Sequence, residues 1–412
     1  MYDYIVIGGG PTGLTLATYL SGNIALIERQ PVLGGCHRVL PGDRFVEHGP
    51  RVYSGAYVNV QHVLQDIGTS WDEIFKPTYF SPEYIDGKHW YRWLSVKEIG
   101  WLTFEYLVYV LNPNHGRGVS MLTYCTNKGF SASSKEYIDL VCRFSDGAGA
   151  DRYSLWEFVS GFDQHILPFY TPRKPLTTLF DRWETVLKKR GVDVLTNTNV
   201  VKVSENSVVT DSGDILKAKK VILCIPPVYA SRITPGLKDI AAKTKYDPYW
   251  SVSFFDVDLP KGQRSTPWGI VALKYHFGVV SAAASRFDVK SPVTGKTLKE
   301  SSDTEAAEEI RRQLFGDLIK PEYAYLSGKY NDQSFFATAG QGYIDSQLPN
   351  GIDLVGCCNG NSTYHFTSME SAVQNALVYL GKKRRRVWHA SNYIWFVVIL
   401  VMVAIAIKKN YF

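Results

Sequence analysis

The sequence predicts an α/β chain with a nucleotide-binding βαβ domain, an inserted α+β domain and an apolar C-terminal helix. Three observations predict it. The first 28 residues read as strand, glycine loop, helix and second strand; helical and β-rich runs return at 176–228 and 352–380; and the 15-residue run Tyr393–Ile407 carries no charge. Each element follows from local chemistry.

Tyr4 to Ile7 form an apolar strand that runs into Gly8-Gly9-Gly10-Pro11-Thr12-Gly13, followed by a helix at Leu14–Leu20 and a second strand at Ile24–Ile27. The loop fits G-x-G-x-x-G. Gly8 closes the turn, Gly10 lets backbone approach a pyrophosphate, and Gly13 permits close helix–strand packing. The helix N-terminus then faces the phosphates. Glu28, 20 residues beyond Gly8 at the end of the second strand, can accept hydrogen bonds from both ribose hydroxyls, which argues against a 2′-phosphate.

Leu176, Leu179, Phe180, Trp183 and Leu187 keep helical spacing up to Gly191, and strands are expected at Val192–Leu195, Val200–Val203, Ser207–Thr210 and Val221–Ile225. Between these runs the composition differs. Aromatic residues crowd Trp71–Asn112, and strand-like runs at Trp250–Val257 and Trp268–Leu273 precede a helix holding Ala306, Ile310 and Leu314. The expected nucleotide domain is therefore discontinuous (1–62, 170–230 and 350–381), with 63–169 and 231–349 as the inserted domain.

Hydrophobic residues at 45% and charged residues at 20% indicate a globular chain, and 14% aromatic residues suit a ring-lined binding site. The net charge of +6 is concentrated in Lys382, Lys383, Arg384, Arg385, Arg386, Lys408 and Lys409, which leaves the rest near neutral. That placement points to a membrane surface and excludes a nucleic-acid groove. The six cysteines have no metal-ligand spacing and are expected as free thiols in a reducing compartment. No Ser-His-Asp arrangement, P-loop or glycosidase-like acid pair is present.

Leu33-Gly34-Gly35-Cys36-His37-Arg38 and Phe45-Val46-Glu47-His48-Gly49-Pro50-Arg51 resemble the second glycine motif and flavin-contacting loop of the flavin-containing amine oxidase superfamily. That group includes monoamine and polyamine oxidases, protoporphyrinogen oxidase and phytoene desaturases, with UDP-galactopyranose mutase as a relative. Val200-Val201-Lys202-Val203, Lys220–Pro227, and Leu354-Val355-Gly356 followed by Ser368-Met369-Glu370 are similar to further segments of it.

The resemblance implies a Rossmann-type FAD-binding domain with an inserted α+β substrate domain, to which the apolar run adds a C-terminal transmembrane helix. It assigns FAD contacts to Gly8, Gly10, Thr12, Gly13, Glu28, Gly34, Gly35, Arg38, Gly49, Arg51, Val201, Gly356, Ser368 and Met369. Tyr364, His365 and Phe366, in the loop before the terminal helix, are candidates for the substrate wall, with Tyr364 and His365 as catalytic candidates. The family's usual lysine near flavin N5 has no clear counterpart; Lys274 lies in an apolar strand. Two departures stand out: Cys36 replaces an arginine, and Cys357 and Cys358 stand where an acid is usual, leaving backbone groups and Asn359 or Asn361 for that contact. No metal is implied.

The implied function is hydride transfer from an amine or related small molecule to flavin N5, with oxygen as electron acceptor. The alternatives are a mutase-like enzyme or a noncatalytic membrane protein that retains the fold. At 1.5 Å per residue Tyr393–Ile407 spans about 22 Å, short of the roughly 30 Å hydrocarbon core. Extension to Trp388 and lysine snorkelling make up the difference, so 382–387 is expected as a basic linker and 388–407 as the span. The positive-inside rule places the body on the cytoplasmic side.

Overall fold

The computed structural model describes residues 1–39, 45–46, 49–78, 84–165, 167–242, 244–259, 263–325, 335–337, 343–348, 351–365 and 367–387. Its main sheet is built on the N-terminal strand Tyr2–Ile7, which pairs in parallel with Ile24–Ile27 on one side and with Ile215–Leu223 on the other. Asp193–Leu195 extends one edge, and Asp353–Leu354 pairs in parallel with the end of Ile215–Leu223. Parallel strands buried on both faces read as continuous apolar runs, and all four residues of Ile24–Ile27 are buried.

Ile215–Leu223 is longer than the expected Val221–Ile225 because its first half does separate work. Its first residues pair antiparallel with Ser207–Thr210, which pairs in turn with Val200–Ser204. Residues 218–223 then enter the parallel sheet beside Tyr2–Ile7. The helix Pro11–Tyr19 starts three residues before the expected Leu14, since Pro11 fits the first helical position. Thr177–Lys189 ends ahead of Gly191 in the left-handed conformation, and Met369–Tyr379 is capped by the Ser368 hydroxyl.

A second, antiparallel sheet joins Ile270–Lys274, Val280–Ala284, Trp250–Phe254 and Tyr323–Tyr325. The helix Asp303–Phe315 packs on it, and Trp250, Phe254, Trp268, Ile310 and Leu314 share one separate core. The 63–169 segment behaves differently. Leu102, Met121, Tyr124, Ile138 and Val159 belong to the same apolar cluster as Val6, Leu14 and Trp183, so one continuous core crosses the boundary expected after residue 62.

Two of the helices are joined by a buried carboxylate. Glu370 accepts from the Asn59 side chain (2.6 Å) and backbone (3.1 Å), from Val60 N (2.9 Å) and from Gln374 Nε2 (2.8 Å). This ties Met369–Tyr379 to the N-terminus of the helix Val58–Asp66, where a negative group is favoured. Asn59 also bonds both ways with the Arg385 backbone, which docks the basic linker on the body. Among the described residues no helix is long and apolar enough to cross a membrane. The span expected at 388–407 lies outside the described residues.

Candidate dinucleotide and substrate site

The glycine loop is held by the backbone of Gly9. Its N–H donates to Glu28 Oε2 (2.8 Å), and its carbonyl accepts from Gly34 N (2.8 Å), which joins the first loop to both the second strand and the second glycine motif. Gly8 has φ +112°, and a Cβ there would lie 2.6 Å from the Cys224 carbonyl oxygen. Gly13 faces the same turn; its Cβ would lie 2.0 Å from Gly8 O. A Cβ on Gly10 meets only Gly35 backbone, Cα at 3.6 Å and N at 4.0 Å.

Beside this loop opens a cavity of about 530 Å³, within the roughly 300–1,000 Å³ usual for ligand sites. Gly8, Gly10 and Thr12 line it at the helix N-terminus, together with Glu28, Val201, Gly35, Arg38 and Gly356. Arg51 and Ser368 line it as well. The residues fit an anionic dinucleotide: a helix N-terminus and an arginine face one space, and Arg38 Nε is buried with no hydrogen-bond partner. Glu28 also accepts from Gln30 N (2.9 Å), which fixes the carboxylate for a ribose.

Some expected contacts have other roles. Gly34 does not line the cavity; it adopts φ +117°, and a Cβ would lie 2.6 Å from the Phe180 ring, so the missing side chain makes room for that ring. Gly13 likewise serves helix–strand packing and stays out of the lining. Asn359 is committed elsewhere, accepting from Gly356 N (2.8 Å) and donating to Ile344 O (2.9 Å) and Leu354 O (3.0 Å). Asn361 is exposed and lines neither cavity. Backbone around Gly356, with Cys357, therefore forms the wall where an acid was expected. All six cysteines are free, and burial pushes the Cys358 thiol up to about 12.

A second cavity of about 150 Å³ shares His37, Arg51, Thr367 and Ser368 with the first. Gly49 and Met369 line this smaller chamber and not the larger one. Its rings include Tyr57, Tyr153, Phe162, Phe169 and Tyr249, and its polar groups include Arg143 and Gln164. Sequence reasoning missed these residues, which come from segments far apart in the chain. No Asp or Glu is among the described lining residues. Asp139 lies behind Arg143, bonded to its Nε (2.8 Å) and to Arg286 Nη2 (2.7 Å).

Tyr364 and His365 line neither cavity. Tyr364 is buried in the main core. The His365 ring stacks on Trp156 with centroids 3.5 Å apart, in a small aromatic cluster with Tyr109 and Tyr343. Phe366 lies outside the described residues. Lys274 is ion-paired with Asp258 and also lines neither cavity.

Burial, with the charges of Arg117 and Arg384, pushes the His365 pKa from 6.5 down to about 3. A folded-state pKa below the unfolded value favours the native state above about pH 6.5, and this contribution is lost as pH falls toward 3. His365→Phe keeps the stacking on Trp156 and removes the titration. Its unfolding free energy should gain on the wild type's as pH drops from about 7 to about 4 in denaturant titrations; a difference constant with pH would contradict the buried neutral ring. The two loop glycines should also separate. Gly10→Val is expected to fold and to lose dinucleotide binding, whereas Gly13→Val should fail to accumulate as soluble protein. Equal thermal stability of the two variants would remove the distinction.

Residues 6–67 match the family model described as NAD(P)-binding Rossmann-like domain. No curated protein matches the chain in sequence. An oxidoreductase from Methanosarcina mazei superposes with a TM-score of 0.70 at 15% identity, covering 92% of this chain and 100% of its own. Wild-type putrescine oxidase gives 0.68 at 17% identity, with 92% and 98% covered. Cyclohexylamine oxidase from Brevibacterium oxydans gives 0.65 at 12% identity, with 91% and 97% covered. At such identities the likeness is one of fold: this chain shares its fold with putrescine oxidase and cyclohexylamine oxidase.

Proposed function

We propose that this chain is a membrane-anchored, FAD-dependent oxidoreductase of amine-oxidase type, removing hydride from a small amine or related molecule with oxygen as electron acceptor. One observation carries the reading: the dinucleotide cavity and the aromatic chamber meet at His37, Arg51, Thr367 and Ser368, next to the N-terminus of the terminal helix. FAD, when bound, supplies the hydride acceptor at flavin N5. The chain's own residues hold and orient. The helix N-terminus at Gly10–Thr12 and Arg38 suit the phosphates, Glu28 the ribose, and Val201 with its neighbours the adenine end. Ser368 and Met369 present the positive end of a helix where negative charge develops.

The chamber favours an uncharged amine. Arg51 and Arg143 lie in its wall, so an ammonium would meet like charge in a partly desolvated space. Its size also supports the oxidase reading over the mutase-like one, since about 150 Å³ suits a small molecule and not a nucleotide sugar. Of the proteins sharing this fold, putrescine oxidase has been observed with putrescine bound.

Purified full-length protein is expected to be yellow and to bleach under anaerobic conditions with an amine from a panel including putrescine and cyclohexylamine. Yellow protein that no amine bleaches would favour the mutase-like reading, and a colourless folded protein would favour the noncatalytic one.

The anchor is a separate proposal, resting on the uncharged run Tyr393–Ile407 between basic clusters, with the body on the cytoplasmic side. Deleting residues 388–412 should release a folded, flavin-loaded protein into the soluble fraction at high salt. High salt is needed because Lys382–Arg386 would retain an attraction to anionic lipid of about 1 kcal/mol per charge. Sedimentation with membranes under those conditions would defeat the anchor reading.

A further inference from the structure

The helix Val96–Leu111 is oriented against the usual rule for a protein surface. Its two acids, Glu98 and Glu105, are buried with Leu102 and Tyr106 against the body. At about 100° per residue, Phe104, Leu107 and Leu111 fall on the opposite face, with Val108 and Trp101 at its edge, where Trp101 also packs on the core. Phe104 is 51% exposed and Leu111 is 86% exposed, while Trp101, Leu107 and Val108 are partly exposed. The helix thus directs apolar side chains into solvent and carboxylates inward. Leu122, on the next helix, Met121–Asn127, adds a further exposed apolar group at 42%.

Along this stretch of the sequence the exposed charges are cations, with Lys128 paired to the buried Glu105 (4.0 Å). Between residues 87 and 128 the cations are Lys88, Arg92, Lys97, Arg117 and Lys128, and the acids are the buried Glu98 and Glu105. Lys128 sets its ammonium 3.8 Å over the Trp101 ring, while Lys88 lies 5.0 Å over Trp93. Lysines whose stems run along aromatic rings, beside an apolar stripe, match the water–lipid interface in both polarity and charge. An acidic protein partner would satisfy the cations but leave the apolar stripe without a match.

The basic linker is docked nearby. Tyr109 of the same helix donates to Thr363 O (3.4 Å), and Arg384 donates to Asn361 O in the same loop. Val387, the last described residue, packs on the core to which this helix contributes. The uncharged run Tyr393–Ile407 begins only a few residues later. Linker and helix therefore lie on one region of the body.

We propose that the exposed face of Val96–Leu111 lies against an anionic bilayer surface, holding the body in one fixed orientation on the membrane. The proposal rests on the anchor reading and adds a second, peripheral contact to it. Full-length protein is reconstituted into vesicles of phosphatidylcholine and phosphatidylglycerol, and nitroxides are placed at Phe104→Cys, Leu111→Cys and Leu318→Cys. Leu318, 98% exposed on the loop after Asp303–Phe315, is the water-facing control. The signal of native thiols is subtracted using the parent protein.

Labels at 104 and 111 should be relaxed by oxygen and shielded from a water-soluble nickel chelate, with the label at 318 showing the reverse. Chelate access at 104 and 111 equal to that at 318, in protein that floats with the vesicles, would overturn the face and leave the anchor intact. Shielding from both relaxants would mean that protein covers the face, either a second copy or the chain's own tail, and would also overturn it. Failure to float would defeat face and anchor together.

Discussion

The backbone of Gly9 is the constraint on which the site depends. Its N–H, in the Gly8–Gly9 peptide, is fixed by Glu28, and its carbonyl, in the Gly9–Gly10 peptide, by the Gly34 N–H, so the two peptide planes that meet at Gly9 lock together the first strand, the second strand and the second glycine motif. A side chain at Gly9 would meet Leu33 Cδ2 at 2.6 Å and Glu28 Cβ at 3.1 Å. With those planes in place, Gly10 and Gly35 come close enough that a Cβ on Gly35 would lie 2.9 Å from Gly10 Cα, and Arg38 is brought to the cavity wall. Glu28 thereby has a structural duty besides the ribose contact expected of it, since replacing it would free an N–H in the phosphate loop.

The second constraint acts from the other end of the chain. Glu370 sits fully buried; burial raises its pKa, while the hydrogen bonds from Asn59, Gln374 and Val60 counter that rise. A buried carboxylate is costly unless such donors surround it, and removing one partner leaves the rest unsatisfied. Through Asn59 the same group of bonds reaches the Arg385 backbone. The terminal helix, whose N-terminus borders both cavities, is therefore coupled structurally to the linker that leads to the apolar tail.

What could be read from sequence was what local spacing encodes. The glycine loop, its strand–helix–strand frame and Glu28 fall within 28 residues, and each glycine answers to a backbone requirement visible in the motif. Ser368 and Val201 came from the resemblance instead; Ser368 caps the terminal helix and Val201 lines the cavity. The chamber came from neither. Its rings include Tyr57, Tyr153, Phe162, Phe169 and Tyr249, which tertiary packing alone brings together, and no periodicity distinguishes them from core residues. The same limit explains His365: position in the loop suggested a substrate contact, but stacking on Trp156 draws the ring into a separate cluster. Gly34 shows a related effect, for its glycine requirement was evident while the reason, the ring of Phe180, lay about 145 residues away.

The departures at Cys36 and Cys357 can be weighed on the same physical grounds. An arginine at 36 would have placed a permanent cation at the cavity, yet Arg38 lines the same space with a buried nitrogen still unpartnered, so positive charge is retained two residues away. At 357 the thiol lies 3.2 Å from the Ser371 hydroxyl, and Asn359 secures the turn through three hydrogen bonds that need no acid. Losing a carboxylate there removes an anion from a space that must accommodate a diphosphate, where like charge is unfavourable. Both substitutions therefore leave a cavity electrostatically suited to an anionic dinucleotide. The case for a fold that has lost its cofactor would have to come from the chamber, where Arg51 and the N-terminus of the terminal helix still face the shared opening.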